Sequence, residues 1–150
     1  MPAETIRILI AGSLCLHALA HAIALSALIA DSLGAPGQTR VAVRSWLLPR
    51  LPLRSAAVVG IALWAPASAG FLAAAAAFWG VFAAGEAWRQ LALASSIVSI
   101  LGIVVFSGTW PGSPSTRRSA LNTLVALTMD LVIIVTQLWL HWPPQAVSGT

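Results

Sequence analysis

Two histidines and one aspartate are the residues of this chain best suited to chemistry, because each lies near the middle of a long apolar segment. His17 and His21 are four residues apart, so a helix would carry both imidazoles on one face. Asp130 lies in the last apolar segment. An ionisable group in an apolar medium needs a partner or a function that justifies its cost. His17, His21 and Asp130 are therefore the core of a candidate intramembrane polar site.

The last apolar segment carries further polar residues around Asp130. Asn122 and Gln137 recur with it at helical spacing, and we add both to the candidate site. Ser13 extends the histidine face of the first segment by one turn. The first and last segments thus have matching polar faces, and in an antiparallel pair of helices His17 or His21 would meet Asp130 at similar depth.

Several chemistries fit these residue types. Two imidazoles on one face with an aspartate as third ligand would suit a metal ion. The same groups would serve a proton or ion relay, or would grip the polar head of a lipid or another apolar ligand. They would also simply hydrogen-bond one another and fix the register of the helices. Haem is disfavoured, since His17 and His21 cannot be opposite axial ligands and His141 lies at the end of its segment.

Motifs of conventional enzymes are absent from the sequence. It has no glycine-rich phosphate loop and no Gly-x-Ser-x-Gly elbow, and four acidic residues leave little for paired-carboxylate catalysis. The single Cys15 has no partner for an intrachain disulfide. We therefore assign no catalytic residue and no metal ligand, leave the cofactor undefined, and favour a protein that is not an enzyme.

The composition defines the surroundings of these residues. Hydrophobic residues make up 59% of the 150-residue chain and charged residues 8%, against about 45–50% and about 25% in soluble domains. So few polar residues cannot coat a water-facing exterior. The sequence predicts an all-α integral membrane four-helix bundle, with residues 1–150 forming a single transmembrane domain.

Apolar runs and helix breakers divide the chain into four spans. A helix needs about 20 residues to cross a hydrocarbon core of about 30 Å. Prolines, glycines and arginines interrupt the apolar runs between the spans. The predicted helices cover about 6–30, 54–82, 91–107 and 119–142.

All eight basic residues are arginines, and their distribution predicts an orientation. Loops 31–54 and 108–118 contain six of them, whereas only Arg7 and Arg89 lie towards the other side. The positive-inside rule places the two arginine-rich loops in the cytoplasm. The arginines flank apolar stretches and form no basic helical face, which argues against nucleic acid as a partner.

The chain resembles the small four-helix bacterial membrane proteins of the DoxX-like kind, most of them uncharacterised. Scattered single residues carry this resemblance across most of the chain: Arg7, Gly12, His17, Trp64, the Trp88-Arg89 pair and Asn122. It implies a bundle in a bacterial inner membrane, in some cases as an accessory to redox systems. It transfers no catalytic residue.

Two functional hypotheses follow from the sequence. The first is an accessory or interaction subunit of a membrane complex, with the lipid bilayer and a membrane-protein partner or a second copy of the chain as its contacts. The alternative is a transporter-like or lipid- and small-ligand-binding bundle that uses the intramembrane His/Asp site. Tryptophans near the ends of the segments are expected at the membrane interfaces in both cases.

Overall fold

A computed structural model describes residues 2–35, 44–81 and 86–143. Within these ranges the chain forms four α-helices and no strand, as predicted, and each helix is long and apolar enough to cross a membrane. Their bounds are α1 Ala3–Ser32, α2 Leu53–Phe78, α3 Ala87–Val105 and α4 Thr116–Leu138. The all-α integral membrane four-helix bundle is thereby confirmed.

The helix ends differ from the predicted ones by up to four residues, for local reasons. α2 stops at Phe78, before the predicted residue 82, because Gly80 adopts a positive φ of 85°. The amide of Val81 then donates to the carbonyl of Ala76, a glycine-based helix stop. α4 begins at Thr116 because the Ser115 hydroxyl accepts from the Arg118 amide at 3.3 Å and caps the helix.

The last predicted helix is too long at its carboxyl end. α4 stops at Leu138, whereas the apolar pattern extends it to Trp142. The amide of Leu140 donates to Val135 and that of Trp142 to Thr136, so the chain turns back, and His141 adopts a positive φ of 47°. α3 instead starts earlier than predicted, at Ala87, and with 19 residues it is the shortest of α1–α4.

Small residues of α2 bring this helix close to α1 and to α3. Ala74, Ala75 and Ala77 are buried. Gly70 of α2 faces Ser95 of α3 so closely that an added Cβ would lie 2.0 Å from the Ser95 hydroxyl. In lipid, where apolar burial gives little driving force, this close approach supplies the packing energy.

α4 is attached differently from the other three helices. It packs mainly against α3 and has much looser backbone contact with α1. Its outer face is exposed and apolar, as lipid contact requires. Within the described residues, α1 and α4 thus have fewer close backbone contacts than the helix pairs that are consecutive along the chain.

The connections meet at two opposite ends of the bundle. Ser45 donates to the carbonyl of Val105 at 2.7 Å, and Thr109 to that of Arg44 at 2.9 Å. The connections after α1 and after α3 therefore lie at one end. At the other end Arg89 donates to the carbonyl of Pro143 at 2.6 Å and pairs with Glu86 at 2.5 Å.

Parts of the predicted loops lie outside the described residues. These are residues 36–43 of the first loop, residues 82–85 of the middle hairpin with the predicted end of the second helix, and the tail from residue 144.

Candidate functional site

His17 and Asp130 meet in the interior, near the middle of their helices. Nε2 of His17 and Oδ1 of Asp130 are joined by a hydrogen bond of 2.9 Å. His17 is 5% exposed and Asp130 has no exposed surface. Because the backbones of α1 and α4 are loosely apposed, this side-chain bond is a principal direct link across their seam.

Ser99 of α3 completes the polar cluster. Its hydroxyl donates to Oδ2 of Asp130 at 2.5 Å and lies 3.1 Å from Nε2 of His21, from which it accepts. Both carboxylate oxygens of Asp130 are therefore bonded, one to α1 and the other to α3. The hydrogen bonds form a continuous chain from His17 through Asp130 and Ser99 to His21, which we call the polar cluster.

Aromatic rings enclose the two histidines. The His21 ring stacks on Phe71 with centroids 5.8 Å apart and planes 7° apart, and His17 meets Phe71 edge-on at 4.5 Å. Trp110 lies 5.5 Å from His21 on another side. These rings cover the two histidines on several sides, and their low polarity strengthens the hydrogen bonds of the cluster.

His21 has one ring nitrogen without a partner. Its Nδ1 is buried and makes no hydrogen bond among the described residues. Since Nε2 donates to Ser99, Nδ1 carries the lone pair of that tautomer, and an unpaired acceptor is the remaining cost of burial. This tautomer has no proton available at Nδ1.

Two clefts follow the α1–α4 seam, one on either side of the His17–Asp130 bond. The His17 cleft, of about 240 Å³, is lined by His17 and Ile23 of α1, Asn122 and Ala126 of α4, and Trp110. The Gln137 cleft, of about 280 Å³, is lined largely by apolar side chains, with Leu14, Trp88, Met129 and Gln137 among them. The first lies in the half of the bundle that carries the arginine-rich connections, the second in the half that carries the start of α1 and the end of α4.

Asn122 and Gln137 lie apart from the cluster with which the sequence pattern grouped them. Asn122 is exposed and donates to the hydroxyl of Ser113 at 3.3 Å. Gln137 is buried and donates to the carbonyl of Trp142 at 2.9 Å. Each lines one of the two clefts, so they flank the polar cluster at a distance.

The sequence pattern missed the functional position of two residues. Ser99 recurs with Ser95 and Gly102 at helical spacing, a pattern that by itself indicates a packing seam. Ser99 is buried, but it also bonds Asp130. Trp110 lies in the predicted loop 108–118, where a tryptophan is expected to lie at the membrane interface. It is only 5% exposed, however, and packs beside His21. Trp64 and Trp88 are buried too. The position of Ser99 near the middle of the third apolar segment is the sequence signal that could have identified it as a site residue.

The polar cluster has the composition of a cation site. His17, His21 and Asp130 each offer one ligand atom, and these atoms lie within 4.8 Å of one another. All three residues are buried. The arrangement can therefore hold a proton between histidine and aspartate, or a metal ion among the three groups.

No family model, curated protein or solved structure matches this chain. Fold and site together define an integral membrane four-helix bundle with a buried His/Asp cluster on the seam between its first and last helices.

Proposed function

We propose that the protein is a transporter-like membrane bundle in which the His17–Asp130 pair takes up and releases a cation, with the proton as its basic form. The observation that carries the proposal is the position of Asp130. It is fully buried near the middle of α4, bonded to both α1 and α3, and lies between two clefts. Intramembrane acids and histidines of this kind occur along ion pathways.

The His17–Asp130 pair can hold its shared proton in two positions without a change of net charge. When the proton shared by His17 and Asp130 lies on His17, the pair holds one charge of each sign; when it lies on Asp130, both groups are neutral. The net charge is the same in both states. A further proton arriving from the His17 cleft adds one positive charge, and its departure restores the original state.

The loose α1–α4 seam supports exchange rather than a purely structural role. A hydrogen bond that only fixes helix register works best between closely packed helices, whereas here the bond lies between two clefts. Small relative movements of α1 and α4 would change which cleft His17 faces. Such movements are how transporters give a fixed site access to one side at a time.

Proton flux into liposomes tests the proposal. Purified full-length protein is reconstituted with a pH dye inside, and a potassium gradient with valinomycin supplies the driving potential. We expect the wild type to acidify or alkalinise the lumen according to the sign of the potential. Asp130→Asn should reduce the flux to that of protein-free liposomes.

Glu4→Gln is the matched control, because it makes the same acid-to-amide change at an exposed residue in the first turn of α1. Its flux should equal that of the wild type. The proposal is wrong if the wild type conducts no more than empty liposomes, or if Asp130→Asn conducts as well as the wild type.

We propose further that the bundle lies in a bacterial inner membrane with loops 31–54 and 108–118 in the cytoplasm, as the DoxX-like resemblance and the arginine distribution imply. The contacts of Ser45 and Thr109 support this arrangement, since they hold the two arginine-rich connections at one end of the bundle.

The accessory role that the sequence favours is the competing proposal. The exposed apolar face of α4 would suit a partner helix as well as lipid. A stoichiometric membrane protein that copurifies with the chain, together with unchanged proton flux in Asp130→Asn, would replace the transporter proposal with the accessory one.

A further inference from the structure

The polar cluster brings together more metal-binding groups than a proton site requires. A proton needs only His17 and Asp130, yet Ser99 bonds the same carboxylate and His21 is buried beside it, bonded to Ser99. The ligand atoms of the two histidines and the aspartate lie within 4.8 Å of one another. We propose, resting on the cation site of the proposed function, that His17, His21 and Asp130 bind a divalent transition-metal ion.

The ligand types identify the class of ion. Two imidazoles with one carboxylate suit zinc, cobalt, nickel and copper rather than magnesium or calcium, which prefer oxygen ligands alone. The histidine spacing of four residues on one helix, as in α1, is a common arrangement for two ligands of one metal. Cys15 does not compete for the ion, because it is exposed on another face of α1.

Binding requires the three side chains to draw together. With metal–ligand bonds of about 2.0–2.2 Å, two ligands of a tetrahedral ion lie about 3.3–3.6 Å apart. A pair of ligand atoms at the 4.8 Å limit of the cluster must therefore approach by about 1.2–1.5 Å. The ion takes the place of the hydrogen between His17 and Asp130, and each imidazole that binds through Nε2 carries its proton on Nδ1 instead.

Ser99 acts as a positioning residue for this site. Its hydroxyl donates to Oδ2 of Asp130, which leaves Oδ1 directed at His17 and available to the ion. Bonds of this kind orient metal-binding carboxylates and typically change affinity about 10–100-fold when lost.

The His17 cleft gives the ion a route to the cluster. His17 forms part of its wall, and at about 240 Å³ it has room for about eight waters of ~30 Å³ each. Asn122 lines the same cleft and offers an amide oxygen to a hydrated ion. An ion that enters this way meets His17 before His21.

Cobalt(II) is the probe for the test, because its visible absorbance reports nitrogen ligands and low coordination number. The full-length protein is purified in detergent through a tag without histidine and titrated with cobalt chloride. We expect a saturable band at one cobalt per chain, which zinc chloride abolishes by displacement. Thermal unfolding of the same samples should shift upwards with cobalt.

The chain offers a matched control for the histidines. His21→Ala and Asp130→Asn should lose the band, and Ser99→Ala should weaken cobalt binding by about tenfold or more. His141→Ala should bind like the wild type, because His141 is exposed and lies beyond the end of α4. Asp130→Asn keeps the shape of the side chain, so it tests the site even if His21→Ala fails to fold.

The results separate this inference from the proposed function. A wild type that shows only the spectrum of aqueous cobalt, or an unchanged band in folded Asp130→Asn, overturns the metal site. If proton flux still depends on Asp130 in that case, the proposed function stands without the metal. If the wild type binds cobalt but shows no proton flux, the metal site stands and the proposed function is wrong.

Discussion

At the scale of single residues, the burial of Asp130 is the feature that organises the interior. An unpaired charge in an apolar medium costs several kcal/mol or more, and each bond to a carboxylate oxygen offsets part of that cost. His17 bonds one oxygen and Ser99 the other, at 2.9 and 2.5 Å. Removing either partner should therefore lower the stability of the protein by more than the lost hydrogen bond alone, because a buried carboxylate oxygen is left without a partner.

Ser99→Ala tests this expectation on stability. The change leaves Oδ2 of Asp130 and Nε2 of His21 each without a partner, and we expect a loss of about 1–2 kcal/mol in unfolding free energy. Unfolding of the purified protein in mixed detergent micelles measures it. Ser95→Ala is the control on the same helix, because the Ser95 hydroxyl donates only to the carbonyl of Leu91 within α3. Equal losses in the two variants would contradict the bridging role of Ser99.

A double-mutant cycle tests the direct bond between α1 and α4. His17→Ala and Asp130→Asn should be coupled by about 1 kcal/mol, since the two side chains contact each other. His21→Ala and Asp130→Asn should be coupled less strongly, because His21 reaches the carboxylate only through Ser99. The same unfolding assay gives all the values. Stronger coupling for His21 than for His17 would refute this order of contacts.

At the scale of the helices, the sequence predicts well that each helix exists and roughly where it lies, because the length and apolar content of a span decide both. The ends depend on local geometry that periodicity does not contain. Gly80 at positive φ stops α2 early, and the Ser115 cap starts α4 early. Which faces of the helices meet in the interior is predictable from the sequence only in part. Matching depth suggested that His17 or His21 meets Asp130, but the rotation of α3 that brings in Ser99 depends on the packing of Gly70 against Ser95.

Gly70→Ala tests that packing between α2 and α3. The added Cβ would lie 2.0 Å from the Ser95 hydroxyl and 3.3 Å from its Cβ, so the helices must separate or Ser95 must rotate out of its bond to Leu91. We expect a loss of about 1–3 kcal/mol in unfolding free energy.

Gly12→Ala is the comparison for that variant. An added Cβ at Gly12 meets nothing within 4 Å, so alanine should be neutral or stabilise α1 by up to about 1 kcal/mol through its helix propensity. Ser95→Ala introduced together with Gly70→Ala should recover part of the lost stability, since it removes the clashing hydroxyl. If Gly70→Ala and Gly12→Ala behave alike, α2 and α3 are not in the close contact described.

At the scale of the whole molecule, the two ends of the bundle differ in charge, and this difference predicts its orientation. Arg117 lies at the start of α4, at the end where the connections after α1 and α3 meet, whereas Glu4 lies at the opposite end in the first turn of α1. Six arginines against two favour the cytoplasm for the Arg117 end. The chain termini would then lie outside the cytoplasm.

Labelling of intact cells with a membrane-impermeant maleimide tests the orientation. Glu4→Cys should be labelled from outside, and Arg117→Cys only after the cells are opened. The native Cys15 supplies the background: it lies near mid-depth on the exposed surface of α1, where lipid keeps a polar reagent away, so the wild type should remain unlabelled. Labelling of Arg117→Cys in intact cells would show that the bundle has the opposite orientation. The His17 cleft would then lie in the outer half of the bundle, and a cation that binds at Asp130 through this cleft would come from the outside rather than from the cytoplasm.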